Sequence, residues 1–218
     1  MKLLLTSAGV KNQSIRDTIV ELAGKPIEEC DTLYIPTGGY PMGGPNGVWR
    51  STTGVGRAPM VEAGWKSVGV LELSILRSLG EKYWRPQFDS IDVLLVGGGD
   101  AVFMSYWMKQ SGVAELLPTM DALYVGLSGG SMVLTPRIGD EFMEWTPPTG
   151  HDETLGIVPF SIFPHVDHPE MPENSMVEAE KWAATLGNPS YALDDQSAIK
   201  VVDGNVEVIT EGHWQYFA

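Results

Sequence analysis

The chain has 218 residues, 43% hydrophobic and 19% charged, which suits one large folded domain spanning residues 1–218 and argues against disorder. A formal net charge of −14 sets it against nucleic acid and anionic membrane surfaces as partners. The single cysteine, Cys30, excludes an intrachain disulfide and reads as a small buried hydrophobe; no run approaches the ~18 apolar residues of a membrane span, so a cytoplasmic protein is expected.

In chain order, short apolar runs alternate with segments of helical spacing. Residues 2–7, KLLLTS, read as a buried strand; the apolar start is too short for a signal peptide. Residues 14–24 follow with Ile15, Ile19, Val20 and Leu22 at helical intervals and stop at Gly24. Strands are predicted at 31–37, 67–73, 92–99 and 121–128, with a short helix at 58–65 and a longer one at 101–110. Continuous apolar strands alternating with helices imply a doubly wound α/β architecture, a mostly parallel sheet covered by helices on both faces.

Residues 38–57 interrupt this pattern. Seven glycines in twenty residues predict a long loop at the carboxyl edge of the sheet, where open α/β folds bind ligands. Trp49, Arg50 and Arg57 are its candidates for a pocket wall or lid, against the plainer reading of a surface loop. Beyond residue 154 the composition becomes β-branched, aromatic and proline-interrupted. A helix is predicted over 172–187, and a C-terminal hairpin over 197–210 around Asp203-Gly204-Asn205.

Three stretches carry chemistry. Gly126-Leu127-Ser128-Gly129-Gly130 joins the apolar ALYV to SMVL, read as the start of a helix. Glycines there permit a sharp strand-to-helix turn that leaves a serine hydroxyl proud of the sheet edge. A plain glycine turn is the alternative. A serine needs a base, and of the four histidines (His151, His165, His168, His213) His165 ends an apolar run and so stands at a strand end. His165 with His168 also raises a metal site, for which a third ligand at suitable spacing is not evident. Gly97-Gly98-Gly99 offers backbone N–H groups at another strand end; as a dinucleotide fingerprint it fails, because position 102 is Val102.

A glycine triplet after a buried strand, GLSGGS some thirty residues on, and then FPH together resemble the peptidase E (aspartyl dipeptidase) family, related to cyanophycinases. The resemblance runs from LLLTS through LDDQSAI. It implies a class I glutamine amidotransferase-like fold with serine in place of cysteine, and a serine hydrolase acting on short peptides without metal or organic cofactor. On this resemblance Ser128 is the nucleophile, His165 the base, and the Gly99 and Gly129 amides the oxyanion hole. Gly98 and Asp100 flank the substrate. The acid falls on Asp195, with Asp194, Glu141 and Glu144 as the alternatives.

This chain departs from the family pattern in two charges. Asp100 replaces an asparagine and is expected to add an anion beside the substrate. The stretch matching the arginine that reads an acidic substrate offers Ser175, Met176 and Val177 instead. Both changes disfavour an N-terminal Asp in the substrate. An amidase or transferase on a non-peptide amide, and a catalytically silent binding module, are the other functions this fold would host. Oligomeric state is not legible.

Overall fold

A strand covered on both faces has no polar side to alternate with, and that is how the central strands of the computed structural model, which describes residues 1–56 and 58–218, are built. Five strands run parallel: β1 (Lys2–Thr6), β2 (Asp31–Ile35), β3 (Ser67–Val70), β4 (Val93–Val96) and β5 (Leu123–Leu127). The hairpin β8 (Ser197–Val202) and β9 (Asn205–Thr210) adds antiparallel to β1, giving the order β3-β2-β4-β5-β1-β8-β9. A second, three-stranded sheet consists of β6 (Ser161–Phe163), β7 (Ser190–Leu193) and β10 (Trp214–Phe217), with β7 in the middle.

Side chains alternate between two cores because the strand period is two. Leu3, Leu5, Leu33, Ile35, Leu94 and Val96 enter one core; Leu4, Tyr34, Val93, Leu95 and Val125 enter the other. Helix α1 (Gln13–Ala23) covers the second core through Ile15, Ile19 and Leu22. It begins where Asn12 Oδ1 accepts the Ile15 N–H at 3.0 Å and ends at Gly24, φ 74°. Helix α2 (Gly39–Thr52) follows β2. The first core is covered by α3 (Leu73–Leu76), α4 (Arg85–Phe88), α5 (Ala101–Ser111), α6 (Val113–Leu116) and α7 (Gly129–Met132). Helix α8 (Met176–Leu186) packs Ala179, Trp182 and Ala183 on Phe163 and Ala192 of the small sheet. Among the described residues, no helix is long and apolar enough to cross a membrane.

Three local expectations are corrected. Residues 39–52 form α2 rather than a loop, broken by Gly44 at φ 56° and ψ −165° and buried only through Val48. Its glycines hid this helix, because glycine has low helix propensity and a single buried side chain leaves no helical apolar spacing to read. Residues 58–65 form turns rather than a helix: the Pro59 carbonyl takes the Val10 N–H, and Trp65 Nε1 donates back to Met60 O at 2.6 Å. Helix α8 starts at Met176, not 172, because the Ser175 hydroxyl caps it by accepting the Glu178 N–H.

Candidate active site

The carboxyl ends of β2, β4, β5 and β1 converge through glycine. Gly99 has φ 119°, and a Cβ built on it would collide with the Gly38 carbonyl and lie 2.7 Å from Gly39 N. A Cβ on Gly129 would collide with Gly99 O, and one on Gly130 with Val96 O. One on Gly98 would stand 3.5 Å from Ser128 Cβ, ordinary contact distance. The loops after β2, β4 and β5 are thus stacked at a spacing that admits no side chain at Gly99, Gly129 or Gly130.

Ser128 sits at the end of β5 with φ 49° and ψ −114°, a conformation rarely adopted by a residue with a Cβ. Its surroundings hold it there. Its N–H donates to Thr6 O at 3.0 Å, and its carbonyl accepts the N–H groups of Ser131 at 2.7 Å and Met132 at 2.9 Å. The helix behind it, α7, is a single turn over Gly129–Met132, shorter than the SMVL start predicted, because Thr135-Pro136 cannot extend it. Among the described residues, no hydrogen bond is formed by the Ser128 hydroxyl, and no acceptor takes the Gly99 or Gly129 N–H.

His165 also has positive φ, 58°, just beyond β6. Its N–H donates to Ser7 Oγ at 2.8 Å, and Val166 N donates to Leu193 O at 3.0 Å. The Nδ1 of His165 lies 2.7 Å from Asp195 Oδ1. Held this way, the neutral ring carries its hydrogen on Nδ1 and leaves Nε2 as the basic nitrogen. The second Asp195 oxygen faces Lys11 Nζ at 3.5 Å and His168 Nε2 at 3.6 Å. Burial raises the Asp195 carboxyl, but the hydrogen bond with His165, the charge that ring and His168 carry when protonated, and the charge of Lys11 outweigh it and hold the group below the usual carboxylate range.

The other acids point elsewhere. Asp194 accepts from Gln196 N, the Ser197 hydroxyl and His213 N. Glu141 lies in a separate cavity with Phe142, Phe163 and Trp182, and among the described residues no hydrogen bond or ion pair joins the Glu144 carboxylate to His165, whose Nδ1 meets Asp195.

Asp100 is only 1% exposed, which corrects the expectation of an anion facing substrate. Its Oδ1 caps α5 by accepting the Phe103 N–H at 2.7 Å; its Oδ2 accepts the N–H groups of Glu144 at 2.8 Å and Trp145 at 2.6 Å. The charge is taken up by backbone. Arg50 stands exposed on α2, and no hydrogen bond or ion pair joins it to Ser128, His165 or Asp195 among the described residues; Arg57 lies outside the described residues. Thr6 and Ser7, the polar pair at the end of β1 to which Ser128 and His165 are tied, are not among the site residues expected from the sequence. Their only signal was a Thr-Ser following three leucines at a strand's carboxyl end.

A strained strand-end serine, an imidazole–carboxylate pair tied to the neighbouring strand and unclaimed glycine amides are together the equipment of an α/β serine hydrolase. The chain matches the family model for Peptidase family S51 over residues 3–209 and belongs to that family of serine-type peptidases. Among solved structures it resembles a candidate peptidase E protein from Listeria monocytogenes EGD-e, with TM-score 0.66 and 17% identity over 97% of this chain and 98% of that one. It also resembles a peptidase from an acI-B1 Actinobacterium, with TM-score 0.60 and 16% identity over 99% and 93%. At these identities the structural likeness speaks for the fold. No curated protein matches the chain in sequence.

Proposed function

We propose that this serine peptidase of peptidase E type cleaves short peptides through Ser128, His165 and Asp195, and that residues 1–218 act as one domain. The observation that carries the reading is the 2.7 Å contact between His165 Nδ1 and Asp195 Oδ1, with Ser128 tied to the same strand end. Ser128 Oγ attacks the scissile carbonyl while His165 Nε2 takes its proton. Asp195 steadies the imidazolium that forms, and His165 returns the proton to the leaving amine. The Gly99 and Gly129 amides receive the oxyanion, with Gly98 leaving room for the carbonyl to approach. Water then repeats the sequence on the acyl-enzyme.

The substrate's N-terminal side chain is neutral or basic rather than acidic. Ser175, Met176 and Val177 stand where the family resemblance places a cation. An anion lies beside them instead: Asp167, whose Oδ1 accepts the Met176 N–H at 3.2 Å. The −14 charge weighs against nucleic acid as a partner; a small amide substrate and a cytoplasmic setting belong to the same proposal. The test is hydrolysis of a dipeptide panel by the native chain and by Ser128→Ala, alongside fluorophosphonate labelling. Ala-X and Leu-X are expected to turn over faster than Asp-X, and the variant to be unlabelled and inactive. Wild-type turnover by Ser128→Ala would refute the nucleophile; a preference for Asp-X would refute the specificity alone.

A further inference from the structure

We propose that Ser7, through its hydroxyl, is the positioning residue that sets His165 and Asp195 relative to each other and to Ser128; this rests on the catalytic roles proposed above. Ser7 is fully buried at the end of β1, where no solvent can substitute for its contacts. Its hydroxyl oxygen accepts the His165 N–H at 2.8 Å, and its hydroxyl hydrogen is donated to Leu193 O at 3.3 Å. Its own N–H donates to Ser197 O at 3.0 Å. Leu193 and Ser197 bracket the turn that carries Asp195, so one side chain and one amide reference the base and both ends of the acid's turn.

The neighbouring residue completes the frame. Thr6 O accepts the Ser128 N–H at 3.0 Å and the Ser131 hydroxyl at 2.8 Å. Thr6 Oγ1 donates to Gly126 O at 2.6 Å and accepts the Gly9 N–H at 2.8 Å. Two consecutive residues therefore connect the segment 126–131, which pairs with neither β6 nor β7, to position 165 and to 193–197, the ends that the pairing of β6 with β7 already sets side by side. The bond to His165 also bears on strain. A histidine at φ 58° keeps that conformation only if its amide is claimed there. The Ser7 oxygen claims it, while the Leu193 carbonyl takes both Val166 N–H and the Ser7 hydroxyl. Without the hydroxyl, His165 can relax toward negative φ and swing its ring off Asp195.

The experiment compares native enzyme, Ser7→Ala, Ser7→Thr, Ser7→Cys and Ser128→Ala. Steady-state hydrolysis of Leu-p-nitroanilide and p-nitrophenyl acetate is followed, with the low-field NMR resonance of the His165 Nδ1 proton, identified by its loss in Asp195→Ala. A folded Ser7→Ala should lose about 10- to 100-fold in kcat, the cost of a small misplacement of reacting groups, with KM nearly unchanged. Its Nδ1 resonance should shift or broaden, and Ser7→Thr, which keeps the oxygen, should restore both. Native kcat and an unmoved resonance in Ser7→Ala would overturn the proposal. A loss of kcat with the resonance unmoved would equally do so, because it would mark a general structural role. If Ser7→Ala does not fold, Ser7→Cys decides: a folded thiol variant with native kcat and resonance overturns the proposal, and one depressed in both supports it. Activity remaining in Ser128→Ala would remove the nucleophile, while the resonance would still test the positioning role of Ser7 independently.

Discussion

Asp195 and Asp100 show how the same side chain is assigned opposite work by its neighbours. Asp195 takes one ring nitrogen at 2.7 Å and is held ionised by the cations around it. Asparagine there would offer an amide N–H or a weaker acceptor and would stabilise the wrong tautomer. Asp195→Asn is expected to lower kcat by about 10³- to 10⁴-fold with the fold intact, measured on a chromogenic amide and by circular dichroism. Asp100 takes three backbone N–H groups and meets no ring. In Asp100→Asn the amide nitrogen must face one of those donors. A loss of about 1–3 kcal/mol in urea unfolding is expected, along with weakened hydrolysis, because Asp100 follows Gly99 directly. An unchanged unfolding midpoint would show that the three bonds do not matter.

At the scale of elements, glycine sets the spacing of strand ends. Gly130 packs so closely on β4 that an added Cβ would strike Val96 O and come within 2.7 Å of Gly97 O, both backbone atoms that cannot swing aside. Gly130→Ala is expected to cost at least about 1–3 kcal/mol and to reduce fluorophosphonate labelling of Ser128, since β5 and β4 would part at the site. The same closeness explains what sequence could and could not disclose. The turn at Ser128 was legible because its glycines are local to it. Helix α2 was not, since its seven-glycine neighbourhood reads as loop and the helix buries only Val48, too little to leave an apolar stripe in the sequence. For the acid partner of His165 the sequence favoured Asp195, with Asp194, Glu141 and Glu144 as alternatives. Asp194 and Asp195 are adjacent in sequence, and the direction of each is decided by which partner the β7–β8 turn presents.

For the whole molecule, acid stability follows from its buried carboxylates. Asp152, only 3% exposed, accepts Arg137 Nε and Nη2 at 3.0 Å each and the Gly139 N–H at 2.6 Å. Burial raises its carboxyl, but the hydrogen bonds to Arg137 and Gly139, with the Arg137 charge, bring it below the usual value. Asp195 is lowered as well. A carboxylate depressed in the folded state binds its proton more readily when unfolded. Its contribution is therefore present above the unfolded pKa of about 3.9 and is lost as pH falls through the lower folded value. Stability should accordingly fall below about pH 4. Asp152→Asn should be less stable at pH 7 but should lose less on acidification, as thermal unfolding across pH 2.5–7 would read. An equal acid slope in both proteins would remove Asp152 from that balance.

The sequence by itself determined the parallel sheet, the serine on its sharp turn and the glycine triplet beside it, because each is written in residues that are neighbours along the chain. Apolar runs buried on both faces need helices to cover them, and a turn with φ 49° needs glycines around it. Only the tertiary structure decided that Asp195 meets His165, that Asp100 is buried on three backbone N–H groups, and that Thr6 and Ser7 tie the three segments together. Those contacts cross 30, 44 and 158 positions of chain. The contact of Ser7 with His165 starts from β1, which lies between β5 and β8, and that of His165 with Asp195 from the pairing of β6 with β7; no local propensity encodes either arrangement.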